Sequence, residues 1–446
     1  IASCLVGSEM CIRDSTISFR ISLFCSNFAL SGCTSQSKKQ SDESEETAFV
    51  LDSTIRIGDA IEKALPSMKL SEVVDSIVYV PLETKVYLTN GLLQYVKPYW
   101  CAFPGRLFDA KGKYVKQIGK LGGGPGEDTS PWGYMVTYDE KRGLFYTQGN
   151  KIIQYDKNGK FTGAEKTIQY TSGGMISGGS LTGLAGMATA DSLYMLVNYP
   201  DSAYWMNTNL DIVYSERIPL DSSLHQPANV YAQGIQYEFS DYDGHTLFYN
   251  FFTDCMYTVT DNGLKVRWKF DMKDLGPDKR AFLNDYMTHI TGIVKISRQA
   301  KGDEKTKKLL AENSEYAKLV DNKKRILNAY ESERYVVMQW MNIIAYEGIR
   351  KKHSPYLLAF LDKTNGNTFA ISQHLTDDID GGKPFELRLG VHNGAMVSWI
   401  WPYELKDYIA QQKEKGEWVS ERLVALADGL KEDDNPVLIM AYLKKK

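Results

Sequence analysis

The chain is predicted to be all-β: a six-bladed β-propeller of four-stranded antiparallel blades, with a helical insertion and C-terminal helices before the closing strand. Three observations predict this. A two-stranded corner recurs along the sequence, its spacing matches one blade, and apolar strands near both ends of the folded part are available to share a sheet. The corner is a short apolar strand, an Asp-x-x-Gly turn, and a second strand. It is seen in Leu107-Phe108-Asp109-Ala110-Lys111-Gly112-Lys113-Tyr114 and again in Ile152-Ile153-Gln154-Tyr155-Asp156-Lys157-Asn158-Gly159-Lys160-Phe161. Gly supplies the positive φ that a tight turn needs, and Asp accepts from its own backbone two residues on.

The corner returns in degenerate form at Asn207-Thr208-Asn209-Leu210-Asp211, then at Asp261-Asn262-Gly263 and Asp362-Lys363-Thr364-Asn365-Gly366. Counted from the first residue of each turn, the intervals are 47, 51, 54 and 101 residues. The first three suit one blade each, and the fourth is close to two periods. The long gap is assigned to a helical insertion, residues 277–327, which is charged and poor in turn residues and contains Lys305 to Leu319. Strand character is expected to resume at Tyr335.

A ring of blades leaves an open seam unless both chain ends contribute to one sheet. Val78 to Leu82 and Val437 to Leu443 are the expected closing pair. Met396 to Ile400 reads as a strand, and Pro402 opens a helical pair running to Leu430. Pro81 suits a strand end.

The N-terminal region reads differently. Arg13 and Arg20 precede the apolar run Ile21 to Leu30, and Leu30-Ser31-Gly32-Cys33 resembles a bacterial lipobox, which makes Cys33 the expected lipidation site. Residues 1–33 are therefore read as a signal peptide, and 34–48, rich in Ser, Lys and Glu, as a disordered tether. Residues 49–446 form the propeller. Residues 1–15 look foreign to the natural chain and stay out of the fold reasoning. No stretch of about 18 uninterrupted apolar residues exists to span a bilayer. The address expected is the cell envelope, lipid-anchored to the outer membrane.

Composition is that of a globular protein, 43% apolar and 12% aromatic. Lys plus Arg number 52 against 55 Asp plus Glu, which argues against a nucleic-acid partner. Of six cysteines only Cys101 and Cys255 belong to the folded body, and two buried thiols are expected in preference to a disulfide.

Most of the folded part resembles the bacterial lipoproteins described as six-bladed β-propeller proteins. The resemblance rests on Tyr79-Val80-Pro81-Leu82-Glu83, the Gly122 to Glu127 loop, Glu333-Arg334-Tyr335, Asp378-Ile379-Asp380-Gly381-Gly382 and Asp433 to Leu438. Gly119 to Phe161 alone is similar to an NHL-type repeat. The resemblance implies an architecture and an address, and no catalytic residue.

Local motifs add little chemistry. Gly119 to Glu127 lacks the Gly-Lys-Ser or Gly-Lys-Thr of a phosphate loop, so a turn between blades is expected. Asp377-Asp378-Ile379-Asp380 and Asp241-Tyr242-Asp243-Gly244-His245 suggest calcium. EF-hand spacing fails for the first, because Leu389 stands at the twelfth position from Asp378. Solvated acidic turns are the favoured reading of both, so no metal site is assigned. The six histidines (His225, His245, His289, His353, His374 and His392) show no zinc-protease spacing, and Ser177 to Gly183 lacks the order of a nucleophile elbow. Trp100, Trp132, Trp205, Trp268, Trp340, Trp399 and Trp401 are read mainly as packing between blades, with stacking on sugar as the other use. The expected function is a ligand-binding or protein-interaction module at the envelope, with a glycan or an envelope protein as partner. The alternative is a hydrolase or lyase with its site in the central funnel, conceivably calcium-dependent.

Overall fold

The computed structural model describes residues 53–88, 93–129, 135–167, 186–198, 202–217, 237–279, 322–342 and 357–446. The residues expected to form a signal peptide and tether, Cys33, Trp132, His225, His289, His353 and residues 177–183 lie outside them.

Six sheets form the six blades. In blades I to V the four strands follow one another in sequence from the innermost outwards. The innermost are Leu93–Val96, Met135–Asp139, Gly186–Thr189, Tyr237–Tyr242 and Lys324–Glu331. Blade VI begins with Val391–His392 and Ala395–Ile400, continues with Val437–Leu443, and is completed by the N-terminal strand Val74–Pro81.

The recurring turns all join the third and fourth strands of a blade. At Asp109 one carboxylate oxygen accepts from the amides of Lys111 and Lys113 at 2.8 and 2.9 Å, and Gly112 has φ 78°. Asp156 repeats this with Asn158 and Lys160 at 2.8 and 2.9 Å. The degenerate turn keeps the same bonds: the Asn207 side-chain oxygen accepts from Asn209 and Asp211 at 2.9 and 3.0 Å. There Leu210 takes the positive φ, 66°, and its side chain is buried. Leu in this conformation is strained, and its packing between blades II and III offsets the cost. The Asp261 turn is tighter, and its carboxylate instead accepts from the amides of Ser192 and Leu193 in blade III.

Closure is as expected in kind and longer in extent. Val74–Pro81 pairs antiparallel with Val437–Leu443, with Ile77 opposite Ala441 and Pro81 opposite Val437. Apolar residues from the two ends of the chain thus lie in one core.

Two features depart from expectation. The insertion was expected to run to Leu327, but Lys324–Glu331 is the innermost strand of blade V, seven of whose positions pair with Lys324 to Glu331's neighbour Val336 to Asn342. The charged composition hid it, since Arg325 is buried inside the strand. Residues 280–321 lie outside the described residues. Second, the segment leading to the closing strand also braces two other blades. Thr54–Arg56 adds a fifth, parallel strand to blade IV, and Leu65–Lys69 does the same for blade V.

Cys101 and Cys255 are buried free thiols in blades I and IV. Trp100, Trp205, Trp268 and Trp340 are buried in the packing, while Trp399 and Trp401 are partly buried beside exposed Tyr403. No helix among the described residues is long and apolar enough to cross a membrane.

Candidate functional site in the central channel

The innermost strands of all six blades contribute to a central cavity of about 700 Å³. That size falls in the range of small-molecule sites. Strand alternation explains its mixed wall. Each innermost strand turns successive side chains towards its two neighbouring blades, so apolar residues seal the joints and polar ones are left along the opening. Val136 and Phe239 belong to the joints. Glu238, Asp241 and Thr137 line the opening.

The charges on this wall are unequally matched. Asp139 accepts from Tyr194 Oη and Arg142 Nη1, both at 2.6 Å. Burial alone would raise its carboxyl, but these two partners outweigh burial and hold it below the usual range. Lys141 faces Asp191 at 3.8 Å. Arg388 is bound by Glu386 at 2.8 Å and lies over the Trp399 ring.

Glu238 differs. Among the described residues it has no hydrogen-bond or ion-pair partner, and burial pushes its carboxyl up to about 7. Asp241 is also raised by burial. Nearby Lys97 and the Thr246 hydroxyl, 3.4 Å away, oppose that shift without cancelling it.

His392 lies on the same wall. Its Nε2–H donates to the Leu389 carbonyl at 2.5 Å, and its ring packs 4.5 Å from that of Tyr95. Nδ1 is buried and has no partner among the described residues, and burial lowers the ring to about 4, so the imidazole is neutral at physiological pH.

The acidic run that sequence reading had treated as equivalent lies elsewhere, in the loop before the innermost strand of blade VI. Asp377 accepts from the amides of Ile379, Asp380 and Gly382 at 3.0, 3.0 and 3.1 Å. Asp378 takes the Ser71 amide and hydroxyl at 3.0 and 2.6 Å. Asp380 receives Arg422, Ser420 and Tyr79. Asp378 and Asp380 thus tie Ser71 of the N-terminal segment and the start of the helix Glu421–Gly429 to this loop and to Tyr79 of blade VI, while Tyr408 of the helix Pro402–Lys415 donates to the Gly382 carbonyl at 2.8 Å.

The other cluster is a hairpin. Asp243 and Gly244 take φ 52° and 76° in the turn, which sets Asp241 and His245 at the channel mouth. His374 lies on the fourth strand of blade V, far from the opening in strand order. Among the described residues, no group of three or more His, Cys, Asp or Glu could hold a metal ion.

The glycine-rich loop fills its own amide cradle. Glu127 accepts from Gly124 at 3.0 Å and pairs with Lys120, while Gly126 donates to Glu165 at 3.2 Å. It is a connection between blades I and II.

Sequence reasoning missed Glu238 and His392. Their only local signal is a carboxylate or an imidazole within a strand-like run, Tyr237-Glu238-Phe239 and Val391-His392.

The comparisons with known proteins agree with the fold. A solved Bacteroides fragilis protein assigned to export is similar with a TM-score of 0.57 at 17% identity, over 86% of this chain and 100% of that one. A Bacteroides vulgatus member of the DUF4221 family is similar with a TM-score of 0.45 at 11% identity, over 84% of this chain and 98% of that one. No curated protein matches the chain. The family model for the Domain of unknown function DUF4934 matches residues 52–442, and the chain belongs to that family.

Proposed function

We propose that the protein is a ligand-binding propeller held at the cell envelope by a lipid on Cys33, with its ligand seated in the central channel. The observation that carries this reading is the wall: a cavity of about 700 Å³ holding a carboxylate without a protein partner among the described residues. Buried polar groups ordinarily have partners, and those left over mark where a bound molecule completes the set. The signal-like segment, the lipobox and the export assignment of the Bacteroides fragilis neighbour support the envelope address. Two acyl chains on Cys33 would anchor the chain to the outer membrane without a spanning helix. A glycan, or a side chain presented by an envelope protein, is the partner class that fits a polar channel with aromatic walls.

The test is a thermal-shift panel of oligosaccharides and envelope peptides on the full chain, repeated with Thr189→Trp to fill the channel. Binding raises the melting point of the folded form. Shifts lost in Thr189→Trp support the reading, and shifts that survive place the ligand outside the channel. Labelling with a fatty acid, abolished by Cys33→Ser, tests the anchor.

A second reading is an enzyme in the same channel. It is favoured by Glu238, whose raised carboxyl lies in the range useful for general acid–base work. That reading requires product formation that Glu238→Gln abolishes, whereas a binding module releases its ligand unchanged.

A further inference from the structure

We propose that the channel selects an organic ammonium: a small polar molecule, or the end of a chain, carrying a protonated amine received by Glu238 and Asp241. This rests on the channel being the ligand site and names the chemistry it takes.

Charge matching is the first argument. Arg142 occupies Asp139, Asp191 faces Lys141, and Glu386 holds Arg388. Among the described residues, that leaves the carboxylates of Glu140, Glu238 and Asp241 on the wall against the ammonium of Lys97. Lys97 acts on Asp241, and among the described residues no cation acts on Glu238. An unpaired carboxylate in a site of reduced dielectric stands to gain most from an incoming cation.

The second argument is independent of acidity. His392 lines the channel at 8% exposure; its Nε2–H is committed to Leu389, and its Nδ1 is buried and, among the described residues, without a partner. Because burial keeps the ring neutral, Nδ1 stays an acceptor at neutral pH. An ammonium group brings three N–H donors and no acceptor, which suits the two carboxylates beside a neutral ring. A phosphate or carboxylate ligand would be repelled by the acidic pair once it is ionised.

The walls add a third. Tyr95, Tyr138 and Phe239 line the cavity, and ring faces attract cations while covering an aliphatic stem.

The proposal carries a proton signature. The other titratable and charged groups lining the opening are Tyr95 and Lys97 of blade I, Tyr138, Asp139, Glu140 and Lys141 of blade II, Asp191 of blade III, Tyr330 of blade V, and Arg388 and His392 of blade VI, with Asp241 and His245 on the same hairpin as Glu238. None of them compensates its charge, so near neutral pH part of the population is protonated. An ammonium favours the carboxylate, and its binding expels that proton to buffer.

The experiment is calorimetry on the full chain with 1,5-diaminopentane against 1,5-pentanediol, and with glucosamine disaccharide against its N-acetylated form. The amine member of each pair is expected to bind at pH 8 at least about tenfold more tightly. At pH 7 its heat should vary with the ionisation enthalpy of the buffer, reporting proton release. Glu238→Gln should weaken binding at least about tenfold and remove the proton release without lowering the melting point. Asp241→Asn should weaken binding with proton release retained.

Neutral members binding as tightly as amines, in a manner blocked by Thr189→Trp, would overturn the ammonium assignment and leave the channel as the ligand site. Amine binding unaffected by Thr189→Trp would overturn both. If neither amine binds, the ammonium assignment fails, and the oligosaccharide and peptide panel decides on the channel alone.

Discussion

Two acidic stretches look alike in the sequence and do opposite things in the molecule. In Asp377 to Asp380 every carboxylate has donors: backbone amides for Asp377, Ser71 for Asp378, and Arg422, Ser420 and Tyr79 for Asp380. On the channel strand, Glu238 has none among the described residues and Asp241 has one long contact to Thr246. The first stretch is construction, tying the C-terminal helices and N-terminal segment to the closing blade. The second is left open to what enters the channel. The number of acidic residues does not distinguish the two cases; the supply of donors does.

The comparison can be broken most forcefully at Asp380. Its side chain is 1% exposed and pairs with Arg422, whose guanidinium holds the carboxyl below its usual range against the opposing effect of burial. Asp380→Ala removes the partner of partly buried Tyr79 and of half-exposed Arg422 and should cost about 2 kcal/mol in urea unfolding, with channel binding by the remaining folded protein unchanged. A loss below about 1 kcal/mol, the range of surface pairs, would mean the loop is not the fastening described.

Glu238→Gln should act in the opposite direction and less strongly. The folded-state carboxyl is raised above its unfolded value, so its contribution to stability is full below about 4.5 and lost as pH rises through about 7. The variant should match the parent at pH 4 and exceed it at pH 8 by about 1–2 kcal/mol, the ceiling set by one pKa unit per 1.4 kcal/mol being reduced by channel water. Equal stability at both pH values would place Glu238 among the satisfied carboxylates.

His392 gives the smallest effect and the reverse pH sense. Its folded pKa is depressed, so stability is present above about 6.5 and lost as pH falls through about 4. His392→Gln should flatten that acid limb by about 1 kcal/mol in denaturant melts between pH 7 and pH 4. An unchanged limb would show that the ring already charges freely in the fold.

The turns were legible because their chemistry is local. Asp or Asn at the first position and a residue able to take positive φ are visible in five residues, and Asn207 preserves the bonds even where Leu210 replaces Gly. The closing strands were legible as apolar runs near both ends. The parallel braces were not. Thr54–Arg56 is three residues long, and Leu65–Lys69 contains Pro66 and an exposed Leu65, so neither shows a strand period. Lys324–Glu331 was hidden by Arg325 and Asn328 within it. The channel was illegible for a deeper reason. Its wall takes a few residues from each of six separated strands, and whether a carboxylate has a donor depends on neighbours dozens of residues away, 42 in the case of Arg422 and Asp380.

The most direct measurement is a carbon-13 NMR titration of glutamate side-chain carboxyls, with Glu238 assigned by its loss in Glu238→Gln. The predicted midpoint is about 7, moving down when an amine occupies the channel. A midpoint near the ordinary glutamate value, about 4.3, with no response to ligand would contradict the account.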